Sequence, residues 1–459
     1  MSRFRPYFKH YKPLMVLGIP IMVGQLGMIV LGFADTIMIG RYSTEALGAS
    51  GFVNNLFNLV IIGSTGFAYG LTPLVSSNHG QGRHQAIGRL LKNALWVNFS
   101  VAVVFTVIMG IVYRNIGRFG QPEELMPLIK PYYLVLLASL VPVLLFNAFR
   151  QFADGITDTK TSMWILAFGN ALNIFCNWLL IYGEWGFPEM GLLGAGVATL
   201  FSRIAMLVVF IAVFLMRTRY RVYLRGFFRS PVNGRDFLML NRLGWPLALQ
   251  MTMETSAFCL SAVMVGWLGT EALAAHQVML TISTVFFMLY YGMGAATSVR
   301  VSYFLGRLDI TEARRTASSG FHLTLVMALI LNAAFWQVRF LIGGLFTDNA
   351  AVLWMISGLF LPMVVYQFGD CLQITFANAL RGIMDVKFLM FSSFIAYFVI
   401  SLPLSYLFGF TFGFDLVGIW MAFPFGLTSA GLMFLFRFLS RTRMMESRLS
   451  AQGCRADIL

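Results

Sequence analysis

The sequence predicts an all-α membrane protein, with twelve transmembrane helices in two parallel six-helix repeats. Three observations carry this: an extreme composition, twelve long apolar windows, and a match of the chain to itself. Of 459 residues, 58% are hydrophobic and 11% charged, and the mean hydropathy is +0.76. A soluble domain carries about 25% charged residues. The apolar runs are continuous rather than alternating, which points to spanning helices of about 20 residues and not to barrel strands.

The windows fall near residues 13–38, 46–74, 92–113, 125–149, 162–183, 192–216, 238–267, 272–299, 317–345, 351–379, 388–409 and 416–438. The basic N-terminus lacks an A-x-A cleavage site, so the first window reads as a span and not as a signal peptide. Alternate connections differ sharply in charge. One side collects 27 of the 33 Lys and Arg residues, including both termini and the run from Arg217 to Arg242. The positive-inside rule places that side, and both termini, in the cytoplasm. The net charge of +14 is thereby explained by an anionic leaflet, without nucleic acid. The Arg217–Arg242 run reads as a solvated linker between halves.

Displaced by 226 residues, the chain matches itself. Gly18-Ile-Pro20 falls on Gly244-Trp-Pro246, Thr44-Glu-Ala-Leu47 on Thr270-Glu-Ala-Leu273, and Val75-Ser76 on Val301-Ser302. Further on, "GITDTK" from Gly155 matches "GIMDVK" from Gly382 at a displacement of 227. Six spans return the chain to its starting side, so the repeats are parallel and related by an axis along the membrane normal. The expected organisation is a bundle at 1–216, a basic cytoplasmic linker at 217–235, a second bundle at 236–440 and a cytoplasmic tail at 441–459.

Three of the 19 acids lie within apolar segments: Asp35, Glu254 and Asp370. A charge at the bilayer centre costs about 2.5–3.5 kcal/mol on insertion scales and tends to mark function. A structural hydrogen bond between helices is the plainer alternative, and for Asp35 a helix-end position. Tyr366 and Asp370 share a helical face at i, i+4, with Gln367 and Gln373 beside them, and Gln250 precedes Glu254 by four. Two nearby carboxylates with a phenol could cage a monovalent cation such as Na⁺, or hold one shared proton. Asn170, Asn173 and Asn177 form an amide stripe that suits either a polar contact or helix packing. Pro20 and Pro246 occupy equivalent positions and are candidate gating kinks. Thr44 and Thr270 are expected to cap the helices they begin.

"FADTIMIGRYSTEALGA", "METSAFCLSAVMVGWLGTEALAAHQV", "GITDTK", "NALNIFCNWLLIYG" and "VYQFGDCLQ" resemble the multidrug and toxic compound extrusion (MATE) family, in its NorM-type branch. The resemblance implies a V-shaped pair of six-helix bundles that export organic cations in exchange for Na⁺ or H⁺. It implies a cation site at Glu254, Tyr366 and Asp370, and a protonation site at Asp35 with Asn173 and Asn177. His276-Gln277 stands at the family's Ala-His-Gln motif, and Gln250 and Gln277 are taken as supporting polar groups. The segment "PLVSSNHGQG" departs from the family pattern.

The expected protein is therefore a multidrug secondary antiporter of the bacterial inner membrane, acting as a monomer without a cofactor. No P-loop, catalytic cluster or metal-ligand spacing suggests an enzyme. A lipid-linked oligosaccharide or lipid flippase is the alternative. It calls for basic residues in the cavity, whereas the acids found within the spans favour cationic cargo.

Overall fold

The computed structural model describes residues 5–456, which are helical in nearly their whole length and contain no strand. The helices are α1 (Arg5–Tyr42), α2 (Thr44–Ala68), α3 (Leu71–Gly80), α4 (His84–Arg114), α5 (Met126–Ala138), α6 (Leu140–Gly155), α7 (Thr159–Tyr182) and α8 (Gly191–Met216). After them come α9 (Arg221–Arg229), α10 (Gly234–Gly266), α11 (Thr270–Gly306), α12 (Ile310–Ile342), α13 (Ala350–Gly358), α14 (Phe360–Gly382), α15 (Val386–Phe394), α16 (Leu402–Tyr406) and α17 (Asp415–Ala456). Two π-helical segments, Ile395–Ser401 and Leu407–Thr411, flank α16. Eleven continuous runs are long and apolar enough to span a bilayer, and α13 with α14, bent by 45°, makes a twelfth.

The repeat seen in the sequence is a repeat of contacts. Gly155 packs on Val75 and Gly382 on Val301, and a methyl group at either glycine would meet those side chains at 2.7 or 3.0 Å. The residues that follow keep the same backbone path. Thr157 and Met384 both sit in the left-handed region, with φ of 65° and 62°. That conformation costs a residue with a side chain about 1–2 kcal/mol. It is held each time by the two amides of the turn: Thr157 and Asp158 bond back to the Asp154 and Ala153 carbonyls, Met384 and Asp385 to those of Arg381 and Leu380. Gly82 and Leu308, also equivalent, share φ of 70° and 60°.

The compact units do not divide at the linker. One joins the chain up to Met22 with Leu249–Leu459, and the other is Val23–Ala248. The N-terminal parts of α1 and α10 are thus exchanged, and each cut falls two residues beyond Pro20 or Pro246. In the first unit, Lys9 and His10 pair with Glu312 at 2.7 and 3.0 Å, and Tyr11 meets His322 at 3.0 Å. In the second, Asp236 pairs with Arg89 at 2.7 Å. The exchanged half-helices seat against glycines: Met22 against Gly292, and Gly244 against Gly70 and Phe67. Small residues allow such close helix approach in membranes.

Two local expectations are corrected. The cap of α2 is Ser43, whose hydroxyl accepts from the Ala46 amide at 3.2 Å, and Gly269 precedes α11 with no side-chain cap. Thr44 and Thr270 are the first helical residues; the Ser43 side chain, one position earlier, faces the free amides of α2, whereas Gly269 has no side chain to offer at α11. The Arg217–Arg242 run is exposed along much of its length but is not all irregular. It contains α9, docked on α4 where Gly88 and Gly226 bring the two backbones together.

Candidate functional site

The unit containing Leu249–Leu459 gathers a polar group inside an apolar core. Helix α10 brings Gln250 and Glu254, α14 brings Tyr366, Gln367, Asp370 and Gln373, and the first π-helical segment brings Tyr397. Gln250 donates to a Glu254 oxygen at 2.9 Å. Tyr397 and Gln373 are further hydrogen-bonding neighbours of that carboxyl, and Gln373 donates to the Tyr397 hydroxyl at 3.0 Å. Asp370 is 1% exposed. It lies near enough to Glu254 for the two carboxyls to repel. The Tyr366 hydroxyl feels both and is hydrogen-bonded with Ser283 of α11.

Acceptors outnumber donors here. Asp370 Oδ2 and the side-chain oxygens of Gln250, Gln367 and Gln373 are buried without a protein hydrogen-bond partner. A buried acceptor left unpaired costs about 1–3 kcal/mol. The unpaired oxygens of Asp370, Gln250 and Gln373 lie on residues grouped around Glu254 and, with Arg381 the one cation within electrostatic range of that carboxyl among the described residues, make a site suited to a further proton or hard cation.

The surroundings fix these groups in place. Trp420 packs its ring against Tyr366 with centroids 6.2 Å apart, and its indole N–H donates to His276 Nδ1 at 3.0 Å. A small cleft beside Tyr397 is lined by Ala257, Ser261, Ser401 and Phe423.

The other unit holds a second polar chain. Asn177 donates to Asp35 Oδ1 at 2.5 Å and to Asn173 Oδ1 at 3.0 Å. Asn173 donates in turn to Thr199 and Ser202 at 3.3 and 3.4 Å. The amide stripe of α7 therefore contacts Asp35 through Asn177, and helix α8 through Asn173. Asn170 lies one turn earlier, where its amide would meet any side chain added at Gly27. Arg203 of α8 lies within electrostatic range of Asp35 and Tyr132, and it donates to Ser139 Oγ at 2.6 Å.

Of the residues singled out in the sequence, Gln250, Glu254, Tyr366 and Asp370 come together in one unit, and Asp35, Asn173 and Asn177 in the other. Gln277 is exposed on α11, and its side chain is outside both groups. Pro20 and Pro246 lie inside α1 and α10, which remain continuous helices. Sequence reasoning missed Tyr397, Ser283 and the placement of Arg203 beside Asp35. Tyr397 was hidden because the π-helical turn takes it off the 3.6-residue face.

A chain of about twelve spans with buried polar groups inside its bundles has the architecture of a polytopic membrane transporter. The MatE family model matches residues 20–179 and 246–407, so each match begins at one of the equivalent prolines. The multidrug resistance protein NorM of Photobacterium profundum is 32% identical over 444 residues, covering 94% of this chain and 95% of that protein. Solved structures share the fold. A eukaryotic MATE transporter matches with a TM-score of 0.84 at 17% identity, covering 96% of this chain and 99% of that one. A mutant of the Vibrio cholerae MATE transporter VcmN gives 0.86 at 16%, covering 95% and 98%. A transporter of the MOP superfamily from Pyrococcus furiosus, described as having a binding pocket of reverse polarity, gives 0.84 at 19%, covering 95% and 96%. The chain belongs to the MATE family; it is a multi-pass membrane transporter and not an enzyme.

Proposed function

We propose that the chain is a multidrug efflux antiporter that exports organic, mostly cationic compounds in exchange for Na⁺ or H⁺. The observation that supports this most directly is the excess of acceptor oxygens around Glu254 and Asp370. An incoming cation or proton relieves the repulsion between the carboxyls and occupies the unpartnered oxygens. Its binding free energy then favours whichever transport state keeps those oxygens together, and only such differential affinity can drive the exchange. Glu254, Asp370 and Tyr366 are the coupling residues. Asp35, with Asn177 and Asn173, is a second protonatable position.

No nucleotide is required energetically. One charge moving through about 150 mV provides roughly 3.5 kcal/mol, enough for a gradient of about 300-fold. The basic side of the chain faces the cytoplasm of a bacterial inner membrane, and the protein acts as a monomer. A flippase of anionic lipid-linked cargo would call for available cations within the bundle. The half-buried Arg203 and the buried Arg381 are engaged instead, by Ser139 and by Tyr291 with Asn378. Ethidium or norfloxacin efflux in a pump-deficient host tests the reading. Glu254→Gln and Asp370→Asn are each expected to abolish efflux at normal expression, and unimpaired efflux in both would refute the role.

A further inference from the structure

We propose that α9 is a built binding site for the phosphate headgroup of an anionic phospholipid. The helix lies between the end of one span at Met216 and the start of the next at Gly234, so the chain holds it at the level of the membrane surface. Its inner face is fixed. Gly226 meets the Gln85 carbonyl and Gly88 the Tyr223 carbonyl so closely that no side chain fits at either position. Tyr220 donates to Asp158 at 2.9 Å, and Lys92 caps the far end by donating to the Ser230 carbonyl at 2.9 Å.

The outer face is a row of cations. Arg221, Arg225 and Arg229 recur every four residues, span roughly 12 Å along the helix, and are all exposed. Among the described residues none of the three has an ion-pair partner. The acids close by are taken: Asp158 by Arg217 and Arg219, and Asp236 by Arg89. Guanidinium groups bind phosphate oxygens in a fork geometry.

The apolar side chains beside them decide which phosphate fits. Val222 is 50% exposed and Phe228 62%, on the same small helix as the arginines. Apolar groups interleaved with cations on an interfacial helix are suited to acyl chains and headgroups together, and not to a dissolved anion. A linker that only connects two bundles has no need of a rigid mount for three unpaired arginines.

Native mass spectrometry of the full-length protein, titrated with phosphatidylglycerol or phosphatidylcholine, tests this. The wild type is expected to favour phosphatidylglycerol, and R221Q/R225Q/R229Q to lose about tenfold or more of that affinity while binding phosphatidylcholine as before. R221K/R225K/R229K, which keeps the charge but not the fork, should keep the preference for phosphatidylglycerol at reduced affinity, and R225Q alone should show an intermediate loss should the triple variant fail to fold. V222S/F228S should also weaken phosphatidylglycerol binding. Unchanged phosphatidylglycerol affinity in the glutamine variants overturns the proposal. So does displacement of the lipid by inorganic phosphate or by a short DNA duplex at comparable concentration.

Discussion

Glu254 is surrounded by donors, whereas Asp370, close enough to repel it, has an oxygen with none. The two carboxyls therefore respond differently to becoming amides. Asp370→Asn removes the repulsion and brings an N–H₂ among unpaired acceptors, so it should stabilise the ion-free protein by about 1–3 kcal/mol. Glu254→Gln removes the same repulsion but weakens several hydrogen bonds that the carboxylate receives, so it should stabilise less than Asp370→Asn or destabilise. Thermal unfolding without Na⁺ at neutral pH reads both, and equal shifts would refute the asymmetry.

Tyr397 connects Gln373 to Glu254 through one hydroxyl. Tyr397→Phe keeps the ring but removes one donor from Glu254 and one acceptor from the Gln373 amide. We expect a loss of about 1–3 kcal/mol in stability and a weaker apparent affinity for the coupling ion, with the maximal rate of dye efflux less affected. An unchanged ion dependence would remove Tyr397 from the site.

Gly88 and Gly226 place the α4 and α9 backbones in direct contact. Gly88→Ala or Gly226→Ala must push α9 away, with a cost of several kcal/mol for overpacking. Gly110 of α4 has open space around it, and Gly110→Ala should be neutral or slightly stabilising. Limited proteolysis between residues 217 and 233 should be faster in the first two variants and unchanged in the third.

Asp158 and Asp385 occupy equivalent turns and hold arginines that come from later in the chain. Asp158 takes Arg217 and Arg219, and Asp385 takes Arg437 and Arg441 at 2.8 and 2.9 Å. Because the arginines are partly exposed, solvent screens part of each attraction. Asp385→Asn should still cost about 1 kcal/mol or more, since two guanidinium groups lose their shared partner. Thermal unfolding of D385N beside R437Q/R441Q tests the coupling: the triple variant should be little worse than either parent, and simple addition would contradict it.

Much of this was legible in the sequence because membrane helices are long and apolar and the repeat is nearly free of gaps. The pairs Gly155/Gly382 and Val75/Val301 were visible as letters and turned out to be matching contacts. Glu254, Tyr366 and Asp370 stood out because a carboxylate inside an apolar span is costly. Three features were not legible, each for a physical reason. The exchange of half-helices at Pro20 and Pro246 is a tertiary choice, and α1 and α10 read as ordinary spans. The π-helical segment around Tyr397 breaks the periodicity on which side-chain placement rests. The docking of α9 depends on two glycines whose partners are backbone atoms, and a basic run alone gives no sign of that.

The central claim is that the Glu254–Asp370 group binds the ion whose entry drives export. Proteoliposomes containing wild-type protein or the E254Q/D370N variant, with Na⁺ and pH gradients imposed separately, test it most directly. The account predicts that one of the two gradients accelerates ethidium transport by the wild type and that neither does so for the variant. Equal acceleration in the variant would contradict it.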